Sequence, residues 1–311
     1  TATVNGTEVT VTYEGSGTAD DPYKVDTLDE LQAIGKNATT ASFSYELTSD
    51  IDATPTTSFN SGSGFSPINQ FSGNFSGGNQ TISGLFMNRP NASHVGMFGN
   101  VSGAASISNL TLSDANIIGN QTKIPDRQSI GGIVGFVELP NNHILQISDV
   151  TVNSTIVGSG GELGGVGGIV GEHYFASDGE LHVQRTKFKG NITPRNEDYV
   201  QTNAGGITGL ARAKTVISNT SFEGVGFNDN GQRAQLRDPT GLAVGRGGSG
   251  DVTVRDFFAN INFFSTDDTE FIVGEDEGFT QDVSNSLIIF NDSNLNGNVT
   301  GSSIESNSVY Q

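Results

Sequence analysis

Six short glycine-flanked apolar segments recur along this chain at near-constant spacing, and repetition with that period restricts the fold to a stack of similar units. VGMFG ends at Gly99, GGIVG at Gly135 and again at Gly171, GGITG at Gly209, GLAVG at Gly245 and a degenerate FIVG at Gly274, giving intervals of 36, 36, 38, 36 and 29 residues. After an elastic gap each glycine is followed by an apolar position, two residues, a second position, one residue and a third. This second motif reads Ile107, Leu110, Leu112; Ile147, Val150, Val152; Val183, Thr186, Phe188; Ile217, Thr220, Phe222; Val254, Phe257, Ala259; and Val283, Ser286, Ile288. A further copy stands upstream at Ile82, Leu85 and Met87. Two motifs in fixed order with a variable spacer describe one structural coil whose loops differ between copies.

Such a coil cannot bury its apolar face alone, so each must stack on its neighbours, like side chain over like. The β-branched and aromatic residues at the repeated positions are strand formers. The 42 glycines, 62 serines and threonines and 29 asparagines favour short strands joined by tight turns over helices. The expected fold is therefore all-β: a right-handed parallel β-helix (solenoid) of about six or seven coils, with Val150, Val152 and Ile169 in a continuous core. The glycines around each short apolar segment are expected to turn the backbone through positive φ. A stack of this kind accommodates 311 residues as one unit.

The ends should differ from the middle, because uncapped edge strands would pair with other chains. Residues 1–55 read as an N-terminal cap of strands plus one short helix. Thr7 to Tyr13 alternates with period two, and Gly15 to Asp21 supplies a turn. Thr27 three residues before Glu30 is a capping box, and Leu28, Leu31 and Ile34 keep helical spacing until Gly35. Tyr45 to Ile51 returns to strand. Residues 56–290 carry the repeats, and 291–311 form a polar C-terminal strand, tail or linker. Thr1 opens no basic and apolar leader and no run is long enough to span a membrane, so the chain is expected to be a soluble, mature or trimmed product with material missing at both ends.

DDPYKVDTLDELQAIG, YELTSDIDA, SPINQFSGNFSGGNQTISGLFM and the serial GGIVG segments together resemble the GLUG-motif repeat proteins of bacterial and archaeal surfaces, over residues 20 to 290. Several dissimilar motifs in one order make this resemblance specific. It implies a parallel β-helix in secreted or wall-associated, adhesin-like proteins, and no fixed activity. The GNGHTI turn of that family stands here as Gly77-Gly78-Asn79-Gln80-Thr81-Ile82, so no role of its histidine carries over.

Charge narrows the partners. With 34 acidic residues against 15 Lys and Arg the chain carries −19, which excludes the basic footprint that nucleic acid or an anionic membrane demands. A Lys-poor acidic surface suits concentrated salt or divalent cations, where carboxylate repulsion is screened. The one candidate cofactor is Ca²⁺, at Asp267, Asp268, Glu270, Glu275, Asp276 and Glu277, although the ligand order of an EF-hand is missing. A solvated acidic rim is the competing reading.

Catalytic chemistry finds few carriers. Without cysteine there is no thiolate nucleophile, disulfide or thiolate metal site. His94, His143, His173 and His182 follow no metal spacing, and neither a G-x-S-x-G elbow nor a P-loop is present. Asp50 with Asp52 and Asp267 with Asp268 are the tidy acidic pairs that a polysaccharide lyase or hydrolase could use, with turn capping as the alternative. Asn-x-Ser/Thr tripeptides stand at Asn5, Asn37, Asn74, Asn79, Asn91, Asn109, Asn120, Asn153, Asn191, Asn219, Asn291 and Asn298. Random placement predicts roughly six, so a glycosylated surface protein is one reading. A stacked ladder of turn asparagines, Asn116, Asn153, Asn191, Asn228 and Asn262, is another.

These features lead to an extracellular protein at a cell or virion surface, without catalysis, adhesin-like or structural. Its partner would be a cell-surface glycan or protein, or another copy of itself. A viral or phage tail-fibre module and a polysaccharide-cleaving enzyme are the alternatives.

Overall fold

The computed structural model describes residues 2–4, 7–36, 40–119, 127–158, 164–174, 178–194, 202–224, 240–248, 251–261, 273 and 281–290. They form an all-β parallel β-solenoid. Each coil contributes a short strand, a second short strand and one long or bent strand. The first positions are His94–Val95, Ser129–Gly131, Gly165–Gly167, Asn203–Gly205 and Thr240–Gly241, hydrogen-bonded in that order. The second are Phe98–Val101, Val134–Val137, Val170–His173, Thr208–Ala211 and Val244–Gly247, again stacked in order. The third belong to a larger sheet that runs through Ala105–Ile118, Ile144–Gly158, Glu180–Gln184 with Lys187–Pro194, Thr215–Gly224 and Val252–Ile261. Among the described residues five coils carry all three strands and make four steps along the stack, and single bridges from Ile68 to Phe98 and from Val244 to Val273 extend it at either end. The large sheet continues at one end through Asn74–Ser76, Tyr45–Leu47 and Tyr23–Val25, and at the other through Gln281–Ser284 and Leu287–Phe290.

Register turns the sequence repeat into columns of side chains. Phe75, Ile107, Ile147, Val183, Ile217 and Val254 lie in one column. Ile82, Leu112, Val152, Phe188, Phe222 and Ala259 lie in another. All twelve are fully buried, as are Val150 and Ile169. Stacking like on like lets each side chain meet its counterpart in the next coil, so the core is continuous and no coil is stable alone.

The repeated glycines work differently from expectation. None of Gly131, Gly167 and Gly205 takes positive φ. A Cβ at these positions would instead lie 2.1, 1.9 and 1.9 Å from the carbonyl oxygens of Val134, Val170 and Thr208, three residues ahead. The closing glycines are excluded from carrying a side chain by the adjacent coil: a Cβ on Gly171 would lie 2.5 Å from the Gly135 oxygen, and one on Gly209 2.4 Å from the Val166 nitrogen. Close backbone approach, not left-handed geometry, selects glycine in GGIVG.

At the N-terminus, Ala2–Val4 and Thr7–Val9 form an antiparallel pair, much shorter than the strand expected to reach Tyr13. The helix Leu28–Ala33 has the full capping box, Thr27 accepting from the Glu30 amide and the Glu30 carboxylate accepting from the Thr27 amide. Gly35 follows with φ 70° and ends it. The segment Tyr45 to Ile51 divides into strands Tyr45–Leu47 and Ile51–Asp52.

Candidate functional site

The outer face of the coils is built from one backbone device. In every second motif the first two apolar positions are three residues apart, yet both point inward, which a flat strand of period two forbids. The residue just before the second apolar position resolves the conflict by adopting left-handed backbone. Asn109, Asp149, Arg185, Asn219, Asp256 and Asn285 have φ of 54°, 57°, 47°, 50°, 52° and 50°, and neighbouring register pairs place each over the next. Five of the six are Asn or Asp, whose short polar side chains tolerate this region best. An aligned elbow therefore runs down the solenoid.

This ladder replaces the one expected at Asn116, Asn153 and Asn191. In the structure Asn116 and Asn191 both align with Thr155, whereas Asn153 lies opposite Lys189. Asn153 and Asn191 stand two places out of register in a continuous pairing, and Ala105–Ile118 carries one extra residue between Leu112 and Ala115. Asn228 and Asn262 lie outside the described residues.

Around the elbow, charges pair between coils. Arg185 donates to both oxygens of Asp149 at 2.8 Å, and Arg255 donates to Asp282 at 2.8 Å. Glu180 takes Lys214 at 2.7 Å and the His182 ring at 2.8 Å, and these partners hold its carboxyl below the usual range. Lys24 pairs with Glu46, and Lys187 with Glu223.

A second cluster lies on the neighbouring face. Glu172 is fully buried, in a column with Phe136, Leu210 and Arg246. Its Oε2 accepts from Arg127 Nε at 2.8 Å and from Ser129 Oγ at 2.7 Å, its Oε1 accepts from Arg127 Nη2, and Arg212 Nε stands 3.7 Å away. Burial raises the Glu172 pKa, with the hydrogen bond and charge of Arg127, the Ser129 hydroxyl and the Arg212 charge opposing it. The Arg127 guanidinium lies over two rings, 4.7 Å from Phe136 and 4.2 Å from Tyr174. His94 stacks on Phe136 at 4.3 Å, and burial, then the Arg127 charge, lowers its pKa to about 4. This cluster ties four successive coils together. It was invisible in the sequence because its members, from His94 to Arg212, come from separate coils and follow no spacing rule.

A third feature is an open groove of about 400 Å³ on the large sheet, bordered by Asp114, Asn116, Asn153, Ser154, Thr155 and Asn191.

The expected site residues are placed as follows. Asp267, Asp268, Glu270, Glu275, Asp276 and Glu277 lie outside the described residues, as do Asn5, Asn37, Asn120, Asn291 and Asn298. Among the described residues no three His, Asp or Glu side chains converge to hold a metal. Asp50 accepts from the Thr81 amide of the stacked strand at 2.7 Å, linking two coils, whereas Asp52 accepts from the Thr54 amide at 2.9 Å and caps its own turn. The Thr54 hydrogen bonds hold the Asp52 carboxyl low. The four histidines are dispersed. His143 Nδ1 is 3.0 Å from the Asn141 carbonyl, and His173 is fully buried in a column with Val137 and Ala211. Of the acceptor tripeptides, Asn74, Asn79, Asn91 and Asn219 are exposed, and Asn109, Asn153 and Asn191 half-buried. Asn100-Val101-Ser102 is a further acceptor tripeptide, its asparagine half-buried.

No family model matches the chain. Halomucin of Haloquadratum walsbyi is 38% identical over 176 residues, which is 54% of this chain and 2% of that protein. A protein of Evansella cellulosilytica described as a "Putative Gly-rich membrane protein" is 31% identical over 102 residues, 32% of this chain and 12% of that one. The chain thus spans a small part of the curated relatives it matches. Among solved structures, a "putative immunoglobulin A1 protease" from Bacteroides ovatus superimposes with a TM-score of 0.60 at 17% identity, covering 88% of this chain and 77% of that one. At that identity the likeness is one of fold alone. No helix among the described residues is long and apolar enough to cross a membrane.

Proposed function

We propose that this chain is a segment of a larger extracellular surface protein, non-enzymatic, that presents a rigid acidic β-solenoid for contact with a glycan, another protein or another copy of itself. The observation that carries the proposal is the 38% identity to halomucin over more than half of the chain. A relative named halomucin points to a mucin-like surface protein in a saline setting. The −19 charge fits that setting, and the acceptor asparagines on the outer face are available for glycans. The same reading gives the GLUG resemblance its adhesin-like sense.

The non-enzymatic part rests on what the described side chains are engaged in. Asp50 and Asp52 each accept one backbone amide, and Glu172 is enclosed by Arg127 and Ser129, so each of these carboxylates already has a structural partner.

Two measurements test the proposal. Protease added to intact source cells should remove the segment, as followed by antibody; removal only after lysis would place it inside the cell. The purified chain should leave immunoglobulin A1, pectin, alginate and glucuronan intact at low and high salt. Turnover that vanishes in an Asp50→Asn/Asp52→Asn variant retaining its fold would make it an enzyme.

A further inference from the structure

We infer that the groove bordered by Asp114, Asn153 and Asn191 is a binding site for a neutral sugar. The inference deepens the surface-contact reading by naming a ligand class for one site.

Three adjacent coils make the groove. In the first, the extra residue between Leu112 and Ala115 bends the strand outward, with Asp114 at φ 54°. The inward rung beneath it is Ala115, Ser154 and Gly190, aligned in register, so nothing larger than a hydroxymethyl fills the corner. Gly190 is fixed there: its φ is 147°, and a Cβ would lie 2.0 Å from the Ser154 carbonyl oxygen. The result is a concavity of about 400 Å³, within the roughly 300–1,000 Å³ typical of small-molecule sites.

Ser154 lies on the floor of the groove, 4% exposed, its side chain in the inward-facing set with Val152 and Ile156, so the polar groups offered to a ligand are those of the outward-facing residues around it.

The lining selects the chemistry. One carboxylate, three amides and the Thr155 hydroxyl border the groove, with no aromatic ring and no cationic side chain among the lining residues. An anionic ligand would meet Asp114 without compensation. A divalent cation would find a single carboxylate where such ions gather several charged oxygens. A polyol fits, because its hydroxyls donate to the carboxylate and amide oxygens and accept from the amide N–H₂ groups. Asn153 and Asn191 also begin Asn-x-Thr tripeptides, so the sugar could come from outside or be the chain's own N-linked glycan.

The test uses the full chain made without glycosylation, titrated with methyl glycosides of glucose, galactose, mannose and N-acetylglucosamine and followed by saturation-transfer NMR. At least one should bind with a dissociation constant of roughly 10 mM or tighter, while glucuronate should not bind. Asp114→Ala and Asn153→Ala, with unchanged circular dichroism, should each weaken binding about tenfold, as the loss of a good polar contact does. Absence of binding by every neutral glycoside, or binding indifferent to both substitutions, overturns the inference. The two sources separate on protein from the native host. Sugar found on Asn153 or Asn191 by mass spectrometry, together with loss of glycoside binding, identifies the chain's own glycan; unmodified asparagines with binding retained identify an outside ligand. The surface-contact reading is judged by protease accessibility on whole cells, so either can fail without the other.

Discussion

Arg185 grips Asp149 of the preceding coil through two 2.8 Å hydrogen bonds, and both residues hold left-handed backbone, with φ of 47° and 57°. Two effects meet at this point. Asp accepts such a conformation at little cost, whereas Arg does not. The pair is half-exposed, and exposed ion pairs contribute little to stability. Backbone strain should therefore outweigh the lost pair, and Arg185→Asn should leave the thermal midpoint equal or raise it, more so in molar salt where the pair is screened. A midpoint that falls would show that the pair dominates. At the next elbow, Asn219→Val puts a β-branched residue at φ 50° and should cost about 1–2 kcal/mol in chemical denaturation.

The core columns give a larger effect. Val152 is fully buried between Leu112 and Phe188. Val152→Asp would strand a charge in that column, and should lower unfolding free energy by roughly 3–5 kcal/mol or prevent folding. Val152→Ile, which adds one methylene to an elastic stack, should cost less than about 2 kcal/mol. Similar stability of the two variants in urea titration would contradict the stacking.

These positions mark how far the sequence could be read. The columns were legible because stacking repeats one chemical demand every coil, so Ile107, Ile147, Val183 and Ile217 announce each other. The elbow was equally legible and was passed over: Asn109, Asp149, Asn219 and Asp256 each stand just before the second apolar position. The ladder expected at Asn116, Asn153 and Asn191 failed because counting from a glycine ignores the elastic gap between that glycine and the strand that follows. The reason for GGIVG was misassigned, since sequence cannot distinguish a glycine needed for torsion from one needed for space. Glu172 with Arg127, and the groove at Ser154, were hidden because they depend on register between distant residues rather than on local pattern.

His173 predicts a pH dependence. The Thr215 hydroxyl donates to the Ala213 carbonyl, so His173 Nδ1, 3.1 Å from that hydroxyl, carries the ring proton. Nε2 is left without a partner, and burial lowers the His173 pKa from 6.5 to about 3. The unfolded chain then binds a proton between about pH 3 and 6.5 that the native chain refuses, so this residue's contribution to stability is complete above 6.5 and declines as pH falls. His94, lowered to about 4, adds to the same slope. Glu172 acts oppositely, since its raised carboxyl favours the native state less as pH rises above 4.5. His173→Leu should flatten the decline between pH 6.5 and 4.5 and stabilise the chain at pH 5, while Glu172→Gln should steepen the remaining rise with pH. A wild-type decline that His173→Leu leaves untouched would mean that the ring is protonated without penalty.

Salt sets two electrostatic effects against each other. Screening weakens the inter-coil pairs, among them Lys24 with Glu46, Lys214 with Glu180 and Arg255 with Asp282, but these are partly exposed and each contributes little. Screening also relieves repulsion among surplus carboxylates, because 34 acidic residues face only 15 Lys and Arg. Self-repulsion at −19 acts over the whole surface, and at 1 M salt the screening length contracts to about 3 Å, shorter than the spacing between coils. The relief should win, and the unfolding midpoint should climb steadily from low to molar NaCl. Calcium at constant ionic strength separates bulk screening from a specific site: an additional rise, abolished by Asp267→Asn and Asp268→Asn together, would assign the ion to that acidic stretch, and no additional rise would leave screening as the whole effect. A midpoint that falls with NaCl would show that the ion pairs hold the coils together more strongly than the surplus charge drives them apart.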